Sequence, residues 1–263
     1  MDLGRMGQKA FITGGTANIG LAIANALAHE GALVGVCARS RTHLDVAIAT
    51  IQRNGGKAIG VVADVTVPDQ VRAAVEHVAK DLGGLDLLVA CVGGNEGSPW
   101  LMESTSSDWS ATFQLNVVHS VDAVRTAVPY LRKSGQGSVL LISSITGWRP
   151  GPASSYAAAK AALIHLAATL AQELGPYGIR VNALSPGSVG DTDGWEEYRR
   201  DNPTEFAALQ REDLALHRLV TMKEVADVAC LVLSPRGSGI NGANIAVDAG
   251  QYRPHAIRFP SDV

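Results

Sequence analysis

The sequence of 263 residues predicts an α/β protein in which a doubly wound parallel sheet of about seven strands carries helices on both faces. Two observations predict this class. Short apolar runs alternate with stretches of helical periodicity along the chain. A glycine-rich turn separates the first apolar run from the first helical stretch, as expected where crossover helices join parallel strands.

The elements are expected in a regular order. Apolar runs predict strands over residues 9–13, 33–37, 58–62, 85–91, 138–143, 180–184 and 244–247. Helical patterns predict helices over residues 21–28, 67–81, 108–133, 154–175 and 221–233. Because no repeat, low-complexity segment or linker divides the chain, we expect a single domain over residues 1–263.

Composition excludes several classes of partner. Hydrophobic residues make up 46% of the chain and charged residues 18%, which suffices to fill both faces of a sheet. A net charge of −3 gives no general attraction to nucleic acid or to acidic lipid surfaces. The sequence has no apolar run of membrane-spanning length and no signal peptide, so we expect a soluble, cytoplasmic protein.

Cysteines and histidines do not predict a metal site. Cys37, Cys91 and Cys230 are dispersed, and we interpret them as small apolar core residues. The seven histidines show no close ligand spacing with Cys, Asp or Glu. We therefore expect no catalytic metal.

The glycine-rich turn after the first strand reads Thr-Gly-Gly-Thr-Ala-Asn-Ile-Gly over residues 13–20. Glycines let the backbone approach a pyrophosphate, and the N-terminus of the next helix adds free N–H groups and a partial positive charge. A tight turn alone would also use glycine, but the position between strand and helix favours a dinucleotide site. Its expected contacts are Gly14, Thr16, Asn18, Ile19 and Gly20.

Tyr156 and Lys160 lie four positions apart in an alanine-rich helical stretch. Residues i and i+4 share one helix face, so the phenol and the ammonium can point into one cleft. Because a nearby cation favours the phenolate, we expect the pKa of Tyr156 to be lowered, which would suit it to acid and base catalysis. A solvated helix face is the alternative interpretation of this spacing taken alone.

Together these motifs resemble the short-chain dehydrogenase/reductase family over residues 9–250. The family's cofactor loop, helical asparagine, serine and Tyr-x-x-x-Lys pair match Thr13, Gly14, Gly20, Asn116, Ser144, Tyr156 and Lys160. The resemblance implies a Rossmann-like fold and hydride transfer between a nicotinamide dinucleotide and a ketone or secondary alcohol. It also implies a catalytic set of Asn116, Ser144, Tyr156 and Lys160.

The resemblance assigns a role to each member of this set. Ser144 and Tyr156 would hold the substrate carbonyl, and Tyr156 would protonate the forming alkoxide. Lys160 would fix the nicotinamide ribose and lower the pKa of Tyr156. Asn116 would bend its helix locally and hold a water that links Lys160 to solvent, although a mid-helix asparagine can simply bond to backbone.

The chain departs from the family pattern in three places. Asn18 replaces the middle glycine of the loop, and asparagine tolerates the left-handed backbone that such a turn requires. Residues 90–93, Ala-Cys-Val-Gly, keep Gly93 but lack two asparagine amides, whose hydrogen bonds other groups must make. Ser144 lies twelve positions before Tyr156, one fewer than is common, and Ser143 is the competing candidate.

The end of the second strand predicts the choice of cofactor. An acidic residue there would bond the adenosine ribose, whereas arginine would pair with a 2′-phosphate. The chain has Arg39 and Ser40 there and no acid before Asp45, which predicts NADP(H) with Arg39 as the main phosphate partner. Ser40 and Arg41 would help. NAD(H) remains the alternative if both arginines are solvated loop residues.

Two further segments match cofactor contacts of the family. Asp64 and Val65 end the third strand where the family contacts adenine, although Asp64 or Thr66 could instead cap the next helix. After the sixth strand, the resemblance assigns carboxamide contacts to Pro186, Gly187 and Val189. Thr192 lies one place later than the family's threonine, and its role stays open.

Substrate choice is expected to depend on residues 187–218, which contain Trp195, Tyr198 and Phe206. We expect this segment to be a mobile lid that excludes water when it closes. The loop over residues 94–100 and the pair Trp148 and Arg149 would add to the lining. Such a lining suits a bulky or aryl-bearing ketone or alcohol.

Two alternatives stay open. A β-ketoacyl thioester reductase would need a basic patch for an acidic carrier protein, to which Arg125, Arg132 and Lys133 could contribute. A catalytically silent dinucleotide-sensing protein would need the glycine loop but not the phenol. The resemblance further implies a homotetramer, in which residues 251–263 could reach a neighbour's active site.

Overall fold

The computed structural model describes residues 3–251. Within that range, seven parallel strands form one sheet in the order β3-β2-β1-β4-β5-β6-β7. The strands are β1 (Lys9–Thr13), β2 (Leu33–Ala38), β3 (Lys57–Val62), β4 (Leu87–Ala90), β5 (Ser138–Ile142), β6 (Arg180–Pro186) and β7 (Asn244–Val247). The predicted parallel sheet of about seven strands is confirmed, and the strand order reverses between β1 and β4, which opens a crevice there.

Helices cover both faces of this sheet. They are α1 (Asn18–His29), α2 (Arg41–Arg53), α3 (Pro68–Asp81), α4 (Ser106–Phe113), α5 (His119–Ser134), α6 (Ser154–Leu174), α7 (Asp193–Asp201), α8 (Pro203–Glu212) and α9 (Met222–Leu233). The helix predicted over residues 108–133 is observed as a helical stretch over residues 106–134, with the local distortion that was expected at Asn116. A π-helical turn, Gln114–Val118, separates α4 from α5.

Alternate residues of the central strands feed two buried clusters. In β1, Ile12 belongs to the cluster under α1 and α9, whereas Phe11 belongs to the cluster under α3, α5 and α6. In β4, Val89 and Leu88 divide in the same way. This division follows from the period of two in a strand, because successive side chains point to opposite faces. Both faces of the sheet are therefore covered and exclude water. The carboxyl ends of the strands remain available for a ligand.

Segment 187–218 contains two helices, α7 and α8. Trp195 packs edge-on against Tyr198 at 5.5 Å and also contacts Phe206. Phe206 and Leu209 are buried and join the core under α1 and α9. The aromatic residues of this segment thus anchor the two helices to the body of the protein.

Arg180, at the start of β6, ties that strand to the end of α9. Its guanidinium donates hydrogen bonds to the carbonyl oxygens of Val232, Leu233, Ser234 and Ile240, over distances from 2.9 to 3.2 Å. Last-turn carbonyls of a helix lack partners inside the helix, and a cation there also complements the helix dipole.

Within residues 3–251, none of the helices has the length and apolarity needed to cross a bilayer. The expectation for the tail concerns residues 251–263, of which Gln251 is buried and accepts a hydrogen bond from the N–H of Ser188, whereas residues 252–263 lie outside the described range.

Candidate active site

A cleft of about 620 Å³ lies at the carboxyl ends of the strands. Its volume falls within the range of about 300 to 1,000 Å³ that is typical of small-molecule sites. Most of the residues that the sequence singles out line this cleft. They are Gly14, Thr16, Asn18, Ile19, Gly20, Arg39, Ser40, Asp64, Val65, Gly93, Ser144, Tyr156, Lys160, Pro186 and Gly187.

The turn after β1 has the geometry of an anion cradle. Gly14 and Asn18 have φ values of +67° and +45°, so the expected left-handed conformation of Asn18 is confirmed. A Cβ at Gly20 would collide with the carbonyl oxygen of Gly14. Among the described residues, no side chain caps the N-terminus of α1 and no acidic residue occupies its first turn. The first N–H groups of α1 therefore remain open to a phosphate.

The end of β2 presents one exposed cation to the cleft. Arg39 is exposed and lines the cleft beside Ser40, whose hydroxyl accepts from the N–H of His43 and caps α2. Arg41 is not among the lining residues and pairs with Asp45 at 3.0 Å. Of the two arginines considered for the 2′-phosphate, only Arg39 faces the cleft.

Asp64 closes a local turn after β3. Its Oδ1 accepts from the N–H and the hydroxyl of Thr66 at 2.9 and 2.7 Å, and these bonds hold the pKa of the carboxyl below its usual value. The helix-cap alternative is wrong, because α3 begins at Pro68 after Val67. Asp64 and the buried Val65 line the cleft.

Thr13 and Asn116 replace the two missing amides after β4. The hydroxyl of Thr13 accepts from the N–H of Cys91 at 3.0 Å. The fully buried side chain of Asn116 donates to the carbonyl oxygens of Gly94 and Thr112 at 2.7 Å each and accepts from the N–H of Gly94 at 3.2 Å. Asn116 lies in the π-helical turn, so it both distorts its helix and bonds to backbone.

Gly93 brings Asn116 and Lys160 close together. A Cβ at Gly93 would lie 2.6 Å from Oδ1 of Asn116 and 2.6 Å from Nζ of Lys160. A side chain at this position would force at least one of the two groups to shift. The glycine therefore leaves room for these two groups at the floor of the cleft.

Lys160 is buried beneath Tyr156. Its Nζ donates to the carbonyl oxygen of Ile142 at 2.8 Å and lies 5.3 Å from the centre of the Tyr156 ring. Burial lowers the pKa of Lys160 to about 8. Lys160 therefore stays protonated at neutral pH, although it is buried beneath the phenol of Tyr156.

The expected lowering of the Tyr156 pKa is wrong for the protein alone. Burial raises the pKa of Tyr156 to about 12, although a hydrogen bond with Ser144 opposes the shift. The physical reason is position, because the Lys160 amine faces the ring and the carbonyl of Ile142 holds it there. Tyr156 is therefore a neutral phenol, which is the form that donates a proton.

Ser143 and Ser144 point in different directions. Ser143 is buried, and its hydroxyl donates to the carbonyl oxygen of Lys160 at 2.7 Å. Ser144 lines the cleft, bonds to Tyr156 and accepts from the hydroxyl of Thr146 at 3.0 Å. Of the two serines, only Ser144 has its hydroxyl beside the phenol.

Val189 does not line the cleft. It is buried, pairs with Val220 in an isolated bridge and accepts from the hydroxyl of Thr192 at 2.9 Å. Its expected contact with the carboxamide of the cofactor therefore stays a prediction.

The cleft is also lined by His43, which the sequence analysis does not single out, by Cys91, and by Glu96 from the loop over residues 94–100 that is expected to add to the lining. Cys91 is only half-buried, so its interpretation as a core residue is incomplete, and burial raises its pKa to about 11. No sequence signal marks His43 or the orientation of the Glu96 side chain, because the loop conformations decide which side chains face inward. Within residues 3–251, no three His, Cys, Asp or Glu side chains could hold a metal ion together.

Comparisons with known proteins agree with this geometry. A family profile described as enoyl-(acyl carrier protein) reductase matches residues 14–251. The chain is 38% identical to isoepoxydon dehydrogenase of Penicillium expansum, over 95% of this chain and 96% of that protein. It is 33% identical to dehydrogenase/reductase SDR family member 4 of Homo sapiens, over 92% and 87% respectively.

A solved structure is similar along nearly the whole chain. The crystal structure of L-sorbose reductase from Gluconobacter frateurii, complexed with NADPH and L-sorbose, superimposes with a TM-score of 0.90 at 32% identity. The match covers 96% of this chain and 99% of that one.

The fold and the cleft define a nicotinamide-dependent oxidoreductase. The chain belongs to the short-chain dehydrogenase/reductase family. It is an enzyme that acts on CH–OH groups and the corresponding carbonyls with NAD(P)(H). The carrier-protein reductase and the catalytically silent sensor are not favoured.

Proposed function

We propose that this enzyme transfers a hydride between NADP(H) and a ketone or secondary alcohol, with Asn116, Ser144, Tyr156 and Lys160 as its catalytic set. The observation that carries the proposal is that Ser144, Tyr156 and Lys160 line one cleft with the glycine-rich turn. The bound L-sorbose of the structural relative supports the ketone side of the reaction.

The residues of the cleft fit a dinucleotide. The turn over residues 13–20 and the open N-terminus of α1 would hold the pyrophosphate, and the two positive φ angles shape that cradle. Arg39, which is exposed beside the cleft, would pair with a 2′-phosphate and thereby favour NADP(H) over NAD(H). Asp64 and Val65 would contact the adenine, and Pro186 and Gly187 would lie under the nicotinamide.

The protein's own groups supply the proton chemistry. When bound, the cofactor supplies or accepts the hydride. Ser144 and Tyr156 donate hydrogen bonds to the carbonyl oxygen and so polarise it toward attack. Tyr156 then gives its proton to the forming alkoxide oxygen, for which the neutral phenol is ready. In the opposite direction, Tyr156 takes the hydroxyl proton back as a base.

Lys160 stabilises the charge that Tyr156 acquires in this transfer. The protonated amine is already buried and fixed on the carbonyl of Ile142, so it needs no reorganisation when the phenolate forms. Asn116 holds the backbone of Gly94 and the π-helical turn next to Lys160, which makes it a positioning residue in this proposal.

Three finer statements complete the proposal. Segment 187–218 acts as a lid, and its residues Trp195, Tyr198 and Phe206 form one aromatic group. The enzyme is a cytoplasmic homotetramer, as the family resemblance implies. Its domain comprises residues 1–263.

The test is a screen of ketones with NADPH and with NADH, read by the loss of absorbance of the reduced nicotinamide. We expect turnover with NADPH. With the best substrate, Tyr156→Phe should lower kcat by about a hundredfold or more while the Kd for NADPH stays the same. Tyr177→Phe, at a half-exposed position after α6, is the control. Retained turnover in Tyr156→Phe would refute the assigned acid, and higher kcat/KM with NADH would refute the cofactor assignment. Light scattering tests the tetramer.

A further inference from the structure

Glu96 lies on the loop after β4 and lines the cleft together with Ser144 and Tyr156. The backbone N–H and carbonyl oxygen of Glu96 both form hydrogen bonds with the hydroxyl of Thr112. Among residues 3–251, however, its carboxylate has neither a hydrogen-bond partner nor an ion-pair partner. Neither the catalytic set nor the cofactor contacts use this group. An exposed carboxylate at the mouth of a catalytic cleft is either a solvated surface group or a recognition group.

The backbone around Glu96 is held in place by buried side chains. Its N–H donates to the hydroxyl of Thr112 at 3.0 Å, and Thr112 is fully buried. The buried hydroxyl of Ser155 lies 3.0 Å from Oδ1 of Asn95 and 3.4 Å from the hydroxyl of Thr112. The loop that carries Glu96 is therefore fixed to the first turn of α6, where Ser155 directly precedes Tyr156.

This connection favours a position of Glu96 on the substrate side of the cleft. The glycine-rich turn that suits a pyrophosphate follows β1, whereas Glu96 is linked to the helix start that carries the proton donor. A carboxylate close to the phosphates would repel them. Beside the phenol, it would instead face the part of a substrate that flanks its carbonyl.

We propose that Glu96 accepts a hydrogen bond from a substrate hydroxyl, so that the enzyme favours uncharged hydroxyketones over plain ketones and disfavours ketones that carry a carboxylate or phosphate. An ionised carboxylate only accepts hydrogen bonds, and its bonds to hydroxyl donors are charge-assisted and strong. The same charge repels anions. This inference rests on the proposed function and assigns a substrate class to the same cleft.

A matched set of substrates tests the assignment. Acetoin and 2-butanone differ by one hydroxyl next to the carbonyl, and levulinate adds a carboxylate to a ketone. With saturating NADPH, the wild-type enzyme should have a higher kcat/KM for acetoin than for 2-butanone. Glu96→Ala should reduce this ratio by roughly tenfold or more, mainly through KM, and Glu96→Gln by less, because an amide oxygen still accepts a neutral hydrogen bond. Both variants should raise kcat/KM for levulinate.

Two controls separate this role from a structural one. Glu76→Ala removes an exposed acid on α3 that does not line the cleft and should leave all three kcat/KM values unchanged. The Kd for NADPH should be the same in all variants. In a Tyr156→Phe background with NADPH bound, calorimetry should find weaker acetoin binding when Glu96 is also changed to Ala, without any need for turnover.

An unchanged acetoin preference in Glu96→Ala would overturn the assignment and leave Glu96 as a solvated surface group. Weaker NADPH binding in Glu96→Ala would also overturn it, in favour of a cofactor contact. Failure of every ketone to oxidise NADPH would instead contradict the proposed function itself, and with it the inference.

Discussion

The side-chain oxygen of Asn18 accepts a hydrogen bond of 3.3 Å from the backbone N–H of Asp193. This bond joins the glycine-rich turn to the first turn of α7, and thus the cofactor cradle to segment 187–218. The asparagine at the family's middle glycine position therefore makes a contact that glycine could not make. It retains the left-handed backbone of that position, with a φ of +45°.

Replacement of Asn18 by glycine should release α7 while keeping the turn. Glycine adopts the same backbone angle without strain, so NADPH should still bind. Hydrogen–deuterium exchange of the Asp193 amide should become faster, since an exposed hydrogen bond contributes only about 1 kcal/mol. Unchanged exchange at Asp193 would mean that the bond does not persist in solution. The amide of Glu196, bonded within the helix to Thr192, is the internal control.

Arg39 is the residue on which the choice of dinucleotide is expected to depend. Arg39→Ala should lower kcat/KM for NADPH by roughly 10- to 100-fold, because a charge-assisted pair with the 2′-phosphate is lost. The kcat/KM for NADH should hardly change. Arg41→Ala is the matched control, since Arg41 pairs with Asp45 away from the cleft and such surface pairs contribute little. An equal loss with both dinucleotides would argue against a phosphate contact.

Gly93 and Gly94 form a matched pair for testing the floor of the cleft. Gly93→Ala would push a methyl group against Asn116 and Lys160, and we expect kcat to fall about tenfold or more as Nζ of Lys160 is displaced. Gly94→Ala meets only Leu115 at 3.7 Å, an ordinary contact, and should remain active. Steady-state kinetics distinguishes the two, with thermal unfolding to confirm that both variants fold. Full activity of Gly93→Ala would mean that this crowding has no catalytic consequence.

His119 should make the protein less stable in mild acid. Its imidazole is buried, and burial together with the charge of Lys160 lowers its pKa to about 4 from 6.5. Between these values the unfolded chain binds the proton and the folded protein does not, so stability falls as the pH falls through this window.

From pH 7 to pH 5, we expect a loss of about 2 kcal/mol in the free energy of unfolding from this residue. This loss is measured by urea unfolding of the wild type and of His119→Asn at both pH values. The control is His165→Asn, at an exposed position of α6. The same pH dependence in all three proteins would exclude His119 as the cause.

Sequence periodicity predicted the sheet well because buried parallel strands are apolar along their length. All seven predicted strands overlap those observed, and the main errors concern their ends. Helices α7 and α8 were not predicted, since α7 is short and rich in charged residues, and its Trp195 is recognisable as a packing residue only once the fold is known. The break at residues 114–118 depends on the bonds that Asn116 makes across space to Gly94.

The site shows a similar division. Motifs with fixed spacing, such as Tyr156 and Lys160, were brought together as expected because one helix carries both. The pKa of Tyr156 could not be inferred from that spacing, because it depends on burial and on where the Lys160 amine points. The sequence predicts that the loop of Glu96 lines the site but not which way this side chain points, because the loop is held by hydrogen bonds to residues that are distant in sequence.

Arg180 has a consequence for how segment 187–218 can move. The segment departs from β6 and returns to α9, and the guanidinium clamps the far ends of these two elements to one another through four carbonyl oxygens. We therefore expect both stems of the segment to keep a constant separation. If segment 187–218 acts as the proposed lid, α7 and α8 should rotate about pivots near residues 187 and 220 without deformation of the sheet.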